Sequence, residues 1–130
     1  MAARSGSARS SKPRKGSTPP LSALDLGIDL GTTRTVVARA DRGNYPVLSF
    51  TDTNGDSHDY YPSLTALTDD GLVHGFRARR AARQGAPLLR SLKRTLAAPS
   101  VSAASPVALG DRTLGVGEVL VSFLTDLRQE

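Results

Sequence analysis

The 130-residue sequence predicts a mixed α/β fold, an α+β arrangement in which a sheet of short, hairpin-linked strands comes first and helices follow. Three observations predict it. Five short β-prone runs crowd between residues 24 and 74, separated mostly by turn-forming Gly, Asn and Asp, which indicates a largely antiparallel sheet. From Gly75 onward the apolar residues recur at helical rather than alternating spacing. Near the end, Val119, Leu120, Phe123, Leu124 and Leu127 form a stripe that suits one face of an amphipathic helix.

The first pair of strands carries the most chemistry. Leu24, Leu26, Ile28 and Leu30 alternate with other residues, so one side of this strand is expected in a core and the other outside. Asp29 stands near its end, before a tight Gly31-Thr32-Thr33 turn and a second strand at Thr35-Val36-Val37. Glycine in a turn lets backbone N–H groups approach an anion closely, and the two hydroxyls add donors. One acid beside such a turn suits a metal-chelated phosphate. The same residues also suit an ordinary hairpin in which Asp29 is a turn-former, so this segment alone leaves both readings open.

The remaining elements follow in order. Residues 41–44 read as a turn, 46–50 as a third strand and 51–57 as loop chemistry. Residues 60–67 read as an edge strand, since Pro62 removes one donor, and Asp69-Asp70-Gly71 turns the chain into Leu72-Val73-His74. Gly75 to Arg83 reads as a helix with a small-residue face of Ala78, Ala81 and Ala82. Gly85 ends it, and Pro87 suits the first turn of another helix. In that helix Leu88, Leu89, Leu92 and Leu96 would share an arc of about 100°, with Lys93 about 40° outside it, at the edge between core and solvent. Residues 98–106 read as a loop, and 107–109 with 112–114 as a small hairpin across Gly110-Asp111. The closing helix needs a surface to cover its stripe, either the preceding sheet or a further portion of protein.

Composition narrows the function classes. Aromatic residues make up only 5 %, with no Trp, so the core is expected to rest on Leu, Val, Ile and Ala. Without cysteine there is no disulfide, thiolate metal site or cysteine nucleophile. His58 and His74 are too few and too far apart to suggest zinc, and both read as solvated side chains. No apolar run is long enough to cross a bilayer and no secretory signal is visible, so a soluble, cytoplasmic protein is expected. The net charge of +5 divides unevenly: residues 1–24 hold five basic residues and no acid, leaving twelve of each sign in 25–130. Residues 1–23 read as a disordered basic tail and 24–130 as the folded part. Charge without interleaved aromatics argues against nucleic acid as its partner.

Four features in order resemble one family. Gly27-Ile28-Asp29-Leu30-Gly31-Thr32-Thr33 is similar to the first phosphate motif of the actin-like ATPases. Tyr61-Pro62-Ser63 followed by Leu64-Thr65-Ala66-Leu67 resembles the Thr-Pro-Ser strand of the heat-shock protein 70 chaperones. Gly75 with Ala78 resembles their Gly-x-x-Ala segment, and Leu92-Lys93-Arg94-Thr95-Leu96 their Ala-Lys-Arg-Leu stretch. The resemblance implies the amino-terminal lobe of an actin-like (ribonuclease H-like) ATPase domain, incomplete, with ATP and magnesium as ligands. It implies that Asp29 holds magnesium through water and that Gly31, Thr32 and Thr33 contact the phosphates. It implies that Lys93, with Asp29, is catalytic, positioning the attacking water or the γ-phosphate.

The sequence also departs from that pattern. Arg34 stands where the family has an uncharged residue, either strengthening anion binding or pointing away, and Ser91-Leu92 replaces the residues before the lysine. The family's second phosphate loop, its adenosine-contacting segment and its peptide-binding domain have no counterpart. The chain therefore reads as a truncated portion, expected to bind ATP weakly and hydrolyse it poorly, since phosphoryl transfer needs groups from several sides. Unfolded polypeptide clients and cochaperones are implied only for the complete protein. Two other readings stand beside this one: a fragment of another actin-like protein, such as a sugar kinase or filament protein, and a non-enzymatic binding module with a basic tail.

Overall fold

The computed structural model describes residues 25–130, so the expected basic tail of residues 1–23 lies outside the described residues. The fold is mixed α/β, with small antiparallel sheets and few helices. The opening hairpin pairs β1 (Leu26–Leu30) with β2 (Arg34–Arg39) in antiparallel register, Ile28 opposite Val37 and Leu30 opposite Thr35. Next come β3 (Phe50–Thr51) and β4 (Ser57–His58), which pair with each other, and β5 (Tyr61–Pro62), which adds to the free side of β2. A second three-stranded sheet has β6 (Thr65–Thr68) at its centre, between β7 (Gly71–His74) and β8 (Leu88–Leu89). Helix α1 (Gly75–Arg83) lies between β7 and β8, and the short α2 (Leu92–Leu96) follows. The hairpin of β9 (Pro106–Leu109) and β10 (Arg112–Gly115) leads directly into α3 (Val116–Gln129). Among the described residues no helix is long and apolar enough to cross a membrane.

Several expectations are corrected. Residues 60–67 form two strands, β5 and β6, because the chain steps from one sheet to the other at Ser63-Leu64. The expected third strand at 46–50 reduces to an isolated bridge between Ala38 and Val47 before β3 begins at Phe50. The helix expected from Pro87 starts only at Leu92. Leu88 and Leu89 are extended and pair with Ala66 and Thr65, so partners more than twenty positions away override the local helical spacing. Ser91 then caps the shorter helix, its Oγ accepting from the Arg94 amide at 3.3 Å.

The core also differs from expectation. Its main cluster joins Val37 and Leu127 to Phe50, Tyr61, Phe76 and Phe123, so all three phenylalanines and one tyrosine are buried together. Tyr61 is the hub, with Phe50 at 5.4 Å, Phe123 at 5.7 Å and Phe76 at 6.1 Å between ring centres, separations at which tilted and edge-on pairs attract. A few large rings therefore do what a low aromatic percentage seemed to forbid. Gly75 allows this packing. Its φ of +59° suits glycine, and a Cβ there would run into the Tyr61 ring. A second cluster of Leu92, Leu114 and Val119 ties α2, β10 and α3 together.

Helix α3 resolves the question of what covers its stripe. Val116, Val119, Phe123 and Leu127 are buried, with Phe123 against Tyr61 and His74 of the two sheets. At the β1 end the cover stops. Leu26 and Ile28 remain 49 % exposed and, with Val37, Leu48, Phe50 and Leu124, line an apolar groove of about 430 Å³. The alternation in β1 does place these residues on the core side, but that side is only partly roofed.

His74 is not a solvated side chain. It is 1 % exposed, its Nδ1 2.9 Å from Thr65 Oγ1 and its Nε2 2.7 Å from Ser122 Oγ. Hydroxyls donate or accept, so either neutral tautomer is satisfied. Burial lowers the His74 pKa below the usual imidazole value; nearby Asp126 opposes the shift and Arg77 adds to it. His58 is half-buried and 2.9 Å from Asp52, which also accepts the Asn54 and Asp56 amides. The bond to His58, with those amides, holds Asp52 below its ordinary carboxylate value.

Candidate functional site

The candidate phosphate-binding turn lies at an open end of the first hairpin. Asp29, opposite Val36 in the ladder, is exposed, as are Thr32 and Thr33. Among the described residues Asp29 enters no ion pair, and neither threonine amide donates to another backbone group. Gly31 behaves differently. Its amide donates to the Arg34 carbonyl at 3.0 Å, closing the turn, and a Cβ at this position would collide with that same oxygen. Glycine is thus needed here for a close backbone approach within the protein, and its N–H is already engaged.

The second motif braces the first. Strand β5 places Pro62 opposite Arg34 and Tyr61 opposite Thr35. The Ser63 amide then donates to the Thr33 carbonyl at 3.1 Å, and the Ser63 and Thr35 hydroxyls share a buried hydrogen bond of 2.9 Å. The Tyr-Pro-Ser segment therefore holds the shape of the turn from behind, leaving the Thr32 and Thr33 side chains outward. Among the described residues no buried polar side-chain atom lacks a partner.

Lys93 comes from a different element. It is exposed on α2, a five-residue helix, and does not line the hollow that Thr33 borders. Asp29 and Gly31–Thr33 thus share one hairpin, while Lys93 belongs to α2, which follows β8 in the chain. Thr33 lines a hollow of about 470 Å³ whose other charged walls are Arg79, Arg83 and Arg90. Sequence reasoning overlooked these arginines as site residues; an acid-free basic stretch around them was the available signal.

Arg34 stacks over the Tyr60 ring, its guanidinium carbon 4.3 Å from the ring centre. This is cation–π distance, and it draws the side chain toward Tyr60. Among the described residues no three His, Asp or Glu side chains converge as a metal cage. A magnesium ion bound with a nucleotide does not require one, because it keeps most of its waters and uses one carboxylate plus phosphate oxygens. The exposed Asp29, with no ion-pair partner among the described residues, fits that modest demand. No protein-family model matches the sequence, and none of the curated proteins matches it significantly.

Proposed function

We propose that the β1–β2 hairpin binds the magnesium-chelated phosphate end of ATP, and that the chain is an amino-terminal part of the actin-like ATPase domain of a heat-shock protein 70-type chaperone. One observation carries the reading. A carboxylate with no ion-pair partner among the described residues and two outward hydroxyls stand together on a turn that the neighbouring Tyr-Pro-Ser strand holds in shape. In this reading Asp29 meets the hydrated ion, and Thr32 and Thr33 donate to phosphate oxygens. The Gly31 amide, engaged with Arg34, serves the turn and not the ligand. Magnesium would neutralise charge on the phosphate chain. Lys93, from α2, would position the attacking water or the γ-phosphate. In a complete chaperone of this kind, ATP hydrolysis would drive binding and release of unfolded polypeptide.

Titration of the full chain with ATP, with and without magnesium, tests the reading calorimetrically. Magnesium-dependent binding that falls about tenfold or more in Asp29→Asn is expected, the scale of losing a charge-assisted contact. Equal affinity in the parent and the variant, at the same magnesium concentration, would refute the site.

A further inference from the structure

Between residues 71 and 110 the chain carries seven basic residues and no acid. Among the described residues Arg77 alone of these is ion-paired, with Asp126 and Glu130. Arg79, Arg80, Arg83 and Arg90 have no carboxylate partner among the described residues, and residues 1–24 contain no acid that could supply one. The nearest candidate, Asp52, borders the adjoining hollow with Arg79, Arg80 and Arg83, but its oxygens are taken by His58 and two amides.

The arrangement of these charges is not explained by the helix alone. Arg80 and Arg83 lie in the last turn of α1, where cations complement the helix dipole. Arg79 and Arg83 are four apart and repel each other. Arg90 comes from beyond β8, yet faces the same hollow as Arg79 and Arg83, over an apolar floor of Leu64 and Leu88, with Thr33 at its edge. Arg79 is further steadied against Phe76, its guanidinium carbon 5.4 Å from the ring centre. Three arginines and a threonine lining about 470 Å³ suit a compact anion that bears several phosphoryl groups, since a guanidinium fork can take two oxygens.

From this convergence of Arg79, Arg83 and Arg90 on one hollow, we infer that it is a binding site for a small ligand carrying a chain of phosphoryl groups. The inference shares Thr33 with the nucleotide reading and otherwise goes beyond it, because neither Asp29 nor Lys93 takes part. A nucleic-acid backbone offers similar charge but would be expected to track an extended groove beside exposed aromatics. Here three arginines line one hollow, and Tyr60 is already covered by Arg34.

The probe is inorganic tripolyphosphate, titrated calorimetrically into the full chain in magnesium-free buffer. Arg83→Gln with Arg90→Gln, both at exposed positions, is compared with a charge-matched control, Arg42→Gln with Arg112→Gln, and far-UV circular dichroism verifies each fold. Binding is expected to weaken about tenfold or more in the first pair and less than about twofold in the second. Asp29→Asn should bind tripolyphosphate as the parent does. Equal weakening by both pairs, or no binding by the parent, overturns the inference. An oligonucleotide bound through Arg83 and Arg90 while tripolyphosphate is ignored overturns it in favour of a nucleic-acid backbone. Tripolyphosphate binding lost only in the Arg83/Arg90 pair, with no magnesium-dependent ATP binding by the parent, sinks the nucleotide reading and sustains this one.

Discussion

Between about pH 7.5 and about pH 5.5, acidification should weaken this fold through His74. Its ring is sealed beneath α3, with the Phe123 ring edge-on at 5.6 Å. Burial disfavours the imidazolium, so the folded chain binds a proton less readily than the unfolded chain, whose histidine titrates near 6.5. The folded pKa is depressed, so the stability contribution is complete above 6.5 and is lost as pH falls from there through the folded pKa. If the folded imidazole stays neutral across the window, the unfolded state gains one proton. The linkage relation then gives a loss of about 1.4 kcal/mol on going from about pH 7.5 to about pH 5.5. Proton uptake by the folded form, which Asp126 favours, makes the loss smaller. Urea unfolding followed by far-UV circular dichroism measures it, since the chain has no Trp to report. The slope should vanish in His74→Gln and persist in His58→Gln, the only other imidazole. A slope unchanged in His74→Gln, or stability that rises on acidification, would refute the reasoning.

Two packing predictions follow from the Tyr61 hub. Gly75→Ala forces a Cβ into the Tyr61 ring at a left-handed backbone position, and should cost about 2–4 kcal/mol in urea unfolding; a cost within about 0.5 kcal/mol would show that the ring yields freely. Tyr61→Phe removes the hydroxyl that donates to Asp126 Oδ2 at 2.5 Å, while Arg77 still pairs with the carboxylate. A loss of about 1.5–2 kcal/mol is expected for a bond to a charged acceptor, and an unchanged unfolding midpoint would show that bond to be idle.

The legible parts of the fold were those whose partners lie close along the chain. The β1–β2, β6–β7 and β9–β10 hairpins, α1 and the closing helix each announce themselves through turn residues and local apolar spacing, because the contacts that stabilise them span few positions. The turn at Gly31–Thr33 belongs to this group, and so does its Asp29. The misreadings share the opposite property. Leu88 and Leu89 had helical spacing and became a strand only because β6 offered an open edge. His74 had a polar identity at a strand end, and only the crossing of α3, with Ser122 forty-eight positions away, sealed it inside.

The same distinction separates what residue order by itself determined from what tertiary structure decided. Residue order determined the α/β class and the position of the turn with its acid, since turn chemistry and side-chain period are local properties. Tertiary structure decided that three phenylalanines and Tyr61 share one core and that Ser63 braces Thr33 and Thr35. It also decided that Arg79 and Arg83 of α1 meet Arg90 from beyond β8 around one hollow. Which distant surfaces meet depends on burying apolar area and satisfying hydrogen bonds across the whole chain at once, and no short window of sequence carries that information.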